Sequence, residues 1–396
     1  MSLAVAAGRR RLGARAPIDF ALLLCVLGLI GLGLVMVASA SMPLADRTFG
    51  DPFFYLTRQA IALGLALAAG ILAFALPLSW WQRSGGILFL VGLALLVLVL
   101  VPGVGHTVNG ATRWIPLGPF NLQSAEFMKL FAIVYISGYL VRHREAVLNS
   151  VHGFVRPMLL MVLAGTLIMI QPDFGTVAVM MAVVLGLMFL SGVQARYFLL
   201  LVVLVGIAFV ALIILEPYRV ERVLYFRNPF EHAFDGGYQL TQALIAFGRG
   251  EWFGVGLGNG IQKQFFLPEP HTDFIAAVIG EELGLAGILV LIGAFAFVTW
   301  RAFAIGARAI AEDEWFAAYL AHGIGLSIGL QAFVNLGVSL GLLPTKGLTL
   351  PFISYGSNSL IVSAMAVGLL LSIDRGQRQR AALEAGSGKR QRWVRV

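Results

Sequence analysis

Apolar runs recur along the whole of this chain, several of them close to the roughly 20 residues that a helix needs to cross hydrocarbon. Ten such runs are read as spans: roughly 18–40, 56–76, 84–101, 124–141, 157–171, 174–192, 197–216, 274–300, 315–341 and 353–373. Apolar residues make up 59% of the sequence and charged residues only 12%, where a globular chain carries roughly 25% charged residues. The expected fold is an all-α integral membrane bundle of ten transmembrane helices. It divides into a basic N-terminus at 1–17, a membrane domain at 18–374 and a basic tail at 375–396 that reads as disordered. A large loop at 217–273 lies between the seventh and eighth spans.

The distribution of charge fixes the expected topology. Eighteen of the 28 Lys and Arg residues fall on one side if both termini are cytoplasmic, as the positive-inside rule favours. The net charge of +8 then reports topology, and no nucleic-acid partner is expected. Arg9, Arg10, Arg11 and Arg15 precede the first run, and Ala38-Ser39-Ala40 resembles a cleavage site. The run between them is longer than a signal-peptide core, so it reads as an uncleaved first span. Cys25 is the single cysteine, which excludes an intramolecular disulfide and argues against a cysteine-based metal cluster.

Chemistry-bearing residues gather at the outer ends of the spans. Leu267-Pro-Glu-Pro-His-Thr-Asp-Phe-Ile275 places Asp273 where the long loop enters an apolar run. An acid there is costly unless solvated or paired, so it is a functional candidate, with helix capping as the alternative. A carboxylate facing water can accept a proton from a sugar hydroxyl; His271 is a weaker base candidate. Gly254-Val-Gly-Leu-Gly258-Asn259-Gly260 could bring backbone N–H groups to a phosphate, with Lys263 just beyond, or be a flexible turn. The run is neither a P-loop nor a dinucleotide fingerprint.

Glu126 and Lys129 share one helical face, as an ion pair or as part of a polar cavity where Lys129 meets an anionic headgroup. Ser327, Gln331, Asn335 and Ser339 form a polar stripe suited to interhelical hydrogen bonds. Arg113-Trp114 sits in the external segment 102–123. Glu281 and Glu282 follow Asp273 by two helical turns, about 12 Å, too far to act with it on one atom. Asp173, after Pro172, reads as a cap. Leu240, Leu244 and Phe247 suggest an amphipathic surface helix within the long loop.

Together these motifs resemble the SEDS proteins (shape, elongation, division, sporulation) along essentially the whole chain. The resemblance rests on Gly254 to Gly260 with Gln262-Lys263, on Leu267-Pro268-Glu269, on His271 to Ile275, and on Gly280-Glu281-Glu282. It continues through Asn335, Gly341 to Gly347 and Leu350 to Gly356. Pro344-Thr-Lys-Gly-Leu-Thr-Leu-Pro351 is similar to the division branch rather than the elongation branch. Ser357-Asn358-Ser359 departs from the usual Gly-Ser-Ser after Gly356.

The resemblance implies a peptidoglycan glycosyltransferase acting on lipid II, a disaccharide-pentapeptide on undecaprenyl pyrophosphate. It implies Asp273 as the essential acid, deprotonating the acceptor hydroxyl. Arg113, Lys129, Lys263 and Lys346 are the cations expected to neutralise the pyrophosphate. Trp114, Glu126, Gly258, Asn259, His271, Ser354 and Tyr355 join them as expected substrate contacts. A divalent cation such as Mg2+ or Mn2+ could share that task, although no ligand cluster announces one. The implied partners are a class B penicillin-binding protein transpeptidase, other divisome membrane proteins and membrane lipid. A lipid II flippase, which would suit ten spans, polar intramembrane residues and a large lipid substrate but would often carry an inverted repeat that the sequence does not show, and a non-catalytic scaffold are the competing readings.

Overall fold

The computed structural model describes residues 18–393 except 109, 119, 216, 345 and 346. The basic stretch 1–17 and the expected phosphate contact Lys346 therefore lie outside the described residues. The chain opens with three helices, α1 (Phe20–Phe49), α2 (Phe54–Ala75) and α3 (Leu78–Leu100). Three short strands follow, β1 (His106–Val108), β2 (Ala111–Leu117) and β3 (Phe120–Gln123). Then come α4 (Ser124–Arg142), α5 (Arg144–Asn149), α6 (Val151–Ile170), α7 (Phe174–Leu190) and α8 (Ala195–Ile214). The long loop contains α9 (Pro217–Arg227) and α10 (Tyr238–Gly250), and α11 (Ile275–Ala311), α12 (Trp315–Ser339) and α13 (Ser357–Trp393) complete the chain.

Among the described residues, nine helices are long and apolar enough to cross a membrane. The tenth expected span, α7, has 17 residues, about 26 Å of rise, which falls short of the roughly 30 Å hydrocarbon core. The bundle is built around α4 and α12, which are buried along most of their length. α8 lies at the other extreme, its leucines and valines facing outward. In lipid such a face needs no protein partner.

The segment 102–123 folds as a small antiparallel meander in the order β1-β2-β3, which the span pattern does not foretell. Arg113 on β2 anchors it by donating from Nε to the Gln171 carbonyl at 3.0 Å and from its guanidinium to the Pro172 carbonyl. Those carbonyls belong to the α6–α7 turn, where Asp173 caps α7 by accepting from the Thr176 N–H and hydroxyl. The tail also differs from expectation. α13 stays helical past Asp374, because Gln377 donates to the Ile305 carbonyl and Arg380 reaches Glu312 and Glu314. Alanine and leucine in that stretch favour the helix as well.

α11 is interrupted. Gly284 adopts φ 67°, ψ −167°, a region essentially reserved for glycine. The broken ladder is mended by the preceding loop: Leu285 N–H donates to Glu251 O at 2.9 Å and Ala286 N–H to Trp252 O at 3.0 Å. In return Val255 and Gly256 N–H donate to the carbonyls of Glu281 and Glu282. A Cβ at Gly284 would fall 2.6 Å from Phe253 N. Gly284→Ala should therefore cost about 3 kcal/mol or more, from backbone strain plus overpacking. Thermal unfolding checks this against Gly293→Ala on the same helix, where nothing lies within 4 Å; equal midpoints for the two variants would refute it.

Candidate active site

Asp273 sits one residue before the N-cap of α11, a position held by Phe274 without a side-chain cap. Its own segment is clamped on both sides. Ser354 Oγ donates to Thr272 O at 2.6 Å, and Asn335 Nδ2 donates to Asp273 O at 2.9 Å. Asn335 also bonds Leu348 O, so one amide on α12 ties the loop 267–274 to the strap 347–356. The Tyr355 N–H closes the same junction on His271 O at 2.8 Å. Gly347 lies against the half-buried Asp273 carboxylate, where a Cβ would fall 2.8 Å from Oδ2. Only glycine leaves that approach open.

His271, Ser354 and Tyr355 are thus brought to Asp273, as the motifs suggest. His271 is buried, its ring 4.6 Å from Tyr55 and 5.4 Å from Tyr355 between centroids. Burial pushes its imidazole down to about 4, so it is neutral at pH 7 and contributes shape rather than charge. Burial raises the Tyr355 phenol, and Arg58, which is hydrogen-bonded to it, pulls the other way. Ser354 is spent on the backbone: its hydroxyl accepts from Leu350 N–H while donating to Thr272 O.

Sequence reasoning missed Tyr55, Arg58 and Gln59 at the start of α2. Gln59 is buried, donating to Ser354 O at 3.3 Å and accepting from Gly356 N–H at 3.4 Å. Its signal was an Arg-Gln pair at the mouth of an apolar run. Asn358, in the segment that departs from the usual pattern, donates to Asn121 O on β3 at 2.7 Å and so docks the sheet on α13.

Several expected phosphate contacts are engaged elsewhere. Lys263 is buried, its Nζ 2.6 Å from Glu282 Oε1 and 2.7 Å from Ser39 Oγ. The glycine-run donors serve the carboxylates of α11: Gly258 N–H goes to Glu282 Oε2, and Ile261 and Gln262 N–H go to Glu281. Asn259 folds back on Val255 O. The run is thus an anion cradle, and its anions are the chain's own. Arg113 is committed to carbonyls as described, and Trp114 stands half-buried on β2 opposite Gln123.

Glu126 and Lys129 form a buried pair at 3.0 Å. Lys129 also donates to Gln331 Oε1 at 2.7 Å, and Gln331 Nε2 to Thr349 O at 2.9 Å. The polar stripe of α12 therefore holds the strap as well as the neighbouring helix. The cavity beside this pair, lined also by Ser327, measures about 20 Å³. It has room for one water and is too small for a lipid headgroup. Among the described residues no three His, Cys, Asp or Glu side chains converge as metal ligands.

The depressed His271 value has a consequence for stability. Between pH 6.5 and 4 the unfolded chain binds a proton that the folded chain refuses, so stability is full above 6.5 and falls on acidification. His271→Asn removes the group. The stability gap between wild type and variant should narrow by about 2 kcal/mol from pH 7 to pH 5. Thermal unfolding at both values measures it, and a gap independent of pH would contradict the burial.

The fold and motifs have close relatives. A family model described as cell cycle protein, covering FtsW, RodA and SpoVE, matches residues 20–379. The chain is 62% identical over 358 residues to the probable peptidoglycan glycosyltransferase FtsW of Allochromatium vinosum, covering 90% of each. It is 49% identical over 355 residues to that of Coxiella burnetii, covering 90% of this chain and 95% of the other. Among solved structures it is similar to a chain of a peptidoglycan synthase complex that coordinates polymerization and crosslinking, with TM-score 0.74, 30% identity and coverage of 91% and 98%. The rod shape determining protein RodA of Thermus thermophilus matches with TM-score 0.68, 29% identity and coverage of 92% and 99%.

Proposed function

Because the chain belongs to the FtsW, RodA and SpoVE family of cell cycle proteins, we propose that Asp273 is its catalytic base in peptidoglycan polymerisation. The chain is a multi-pass membrane glycosyltransferase of peptidoglycan synthesis, and its role lies in cell division. The observation that carries the assignment to Asp273 is its setting. It is a half-buried carboxylate whose backbone is clamped by Ser354 and Asn335, with the Gly347 backbone against it. A base held in this way meets its substrate without reorganising.

The substrate is lipid II. Asp273 takes the proton of the acceptor GlcNAc 4-hydroxyl as that oxygen attacks C1 of MurNAc on the donor strand. The C1–O bond to the lipid pyrophosphate breaks, and the anomeric centre inverts. The leaving group departs as an anion, so it needs positive charge nearby rather than a proton. Arg58, exposed beside Tyr355, is a cation that the described site offers, and Lys346 is proposed beside it from the sequence motif. Tyr55 and Tyr355, half-buried over the neutral His271 ring, present a polar-edged aromatic wall suited to a sugar face.

The likeness to a peptidoglycan synthase complex that coordinates polymerization and crosslinking supports a transpeptidase partner, here read as a class B penicillin-binding protein; other divisome membrane proteins are proposed beside it from the sequence motifs alone. Both termini are proposed to be cytoplasmic and the chain septal, from the distribution of Lys and Arg and the division-branch motif. Asp19 with Arg301 and Asp374 with Arg308 gather charge at the bundle end opposite the site. The test is polymerisation of lipid II by the purified chain with its partner, wild type against Asp273→Asn.

A further inference from the structure

The interrupted α11 fixes the depth of the loop that mends it. Asp19 caps α1 and its carboxylate accepts from Arg301 Nε of α11 at 2.8 Å, which sets one common level on two helices. Ser39 lies 20 residues along α1 from that level, about 30 Å. Back along α11 the unbroken helix from Arg301 to Leu285 rises about 24 Å, and Glu282 lies just beyond its break. The two meet: Ser39 Oγ is 2.8 Å from both Glu282 carboxylate oxygens. Since hydrocarbon is about 30 Å thick, the Ser39–Glu282–Lys263 group marks its edge on the side of the catalytic site.

Ala286 lies 15 residues from Arg301, about 22 Å, hence inside that edge. Its N–H is bonded to the carbonyl of Trp252, and that of Leu285 to Glu251, so the backbone at 251–252 is held near that depth, while Val255 and Gly256 return to Glu281 and Glu282 at the edge. The side chains there point outward: Trp252 is 66% exposed and Phe253 84%. On α11 beside them Leu285, Leu289 and Val290 are exposed too. The apolar surface is therefore continuous from the membrane span onto the turn.

Irregular backbone enters a bilayer only if its polar groups are satisfied within the protein. Much of this loop's backbone is so satisfied: the Glu251 and Trp252 carbonyls accept from Leu285 and Ala286, Gly254 N–H bonds Gly250 O, and the N–H groups of Val255, Gly256, Gly258, Ile261 and Gln262 bond to Glu281 or Glu282 through their carbonyls or carboxylates. Lys263 neutralises one of those carboxylates, and the Arg249 guanidinium lies 3.6 Å from the other. Glu251 and Arg249 at the base of the turn stop it from sinking further, since charged heads stay with the headgroups.

We propose that the Trp252–Phe253 turn enters the acyl-chain region of the leaflet on the site's side and anchors there. The buried Glu281 and Glu282 are what make that immersion tolerable. The occupant of this surface is phospholipid acyl chain, because the exposed apolar face is an extension of the lipid-facing stripe of α11. The anchor holds the loop that leads to His271 and Asp273 against the membrane surface from which a lipid-linked substrate arrives.

Spin labels test it on the full chain reconstituted in phosphatidylethanolamine–phosphatidylglycerol vesicles. Single cysteines replace Phe253, Asp235 or Val290 on a Cys25→Ser background. At 253 the ratio of oxygen to nickel-chelate collisions should match that at 290, in the span, and exceed severalfold that at 235, in the exposed loop. A ratio at 253 like that at 235 overturns the proposal. Low collision rates with both reagents also overturn it, because protein would then cover the turn. Trp252→Cys gives the same reading if Phe253→Cys fails to fold.

Discussion

With Asp273→Asn, polymerisation of lipid II by the purified chain and its transpeptidase partner should fall at least about 100-fold, the lower bound for loss of a general base. Asparagine keeps the shape of the side chain and cannot take the acceptor proton. The backbone clamps from Ser354 and Asn335 use the main chain of 272 and 273, so they survive the substitution. Lipid II binding should persist, because the substitution keeps the side chain's size and removes no cation. If Asp273 only favoured the start of α11, the variant would lose about 1 kcal/mol of stability and keep its turnover. The N-cap position belongs to Phe274, which already weakens that account. In a flippase the variant would leave polymerisation untouched and stop export. Near-normal turnover by a folded Asp273→Asn chain would end the catalytic assignment.

The spans and the junction around Asp273 were legible in the sequence because their signals are local. Apolar runs of membrane length leave one choice of structure, and Leu267 to Ile275 marks its acid by where the polarity changes. The fate of the glycine run was not legible, because it depends on Glu281 and Glu282 some 20 residues later. A lone glycine such as Gly284 inside an apolar run costs a helix only about 1 kcal/mol, so nothing singled it out as a break. The meander at 106–123 was hidden for a related reason. Its Arg113 is satisfied by carbonyls of the Gln171–Pro172 turn, a pairing that no window of sequence contains. Tyr55, Arg58 and Gln59 likewise acquire meaning only when α2 meets the 354–356 strap. Glu126 and Lys129 show the opposite case: spacing alone identified the pair, and packing decided that it is sealed inside the bundle rather than open to a headgroup.

Lys263 separates structure from substrate binding most sharply. Its ammonium and the Glu282 carboxylate are both buried, and Glu282 in turn holds Gly258 N–H and Ser39. Lys263→Met leaves that carboxylate uncompensated at the membrane edge, a loss of about 3–5 kcal/mol for one broken partner of a buried pair. The chain should lose thermal stability, and activity with it, as the loop leading to Asp273 detaches from α11. Adding Glu282→Gln removes the stranded charge and keeps an acceptor for Gly258 N–H. The double variant Lys263→Met/Glu282→Gln should therefore recover most of the stability, as expected for directly coupled sites. Turnover should return with it, since both side chains are buried against each other. A cation that binds pyrophosphate predicts the reverse: a stable single variant with poor lipid II affinity, and no rescue by the second change. Thermal midpoints, lipid II affinity and turnover on the four combinations distinguish the two, and a stable, binding-deficient Lys263→Met would return the lysine to the active site.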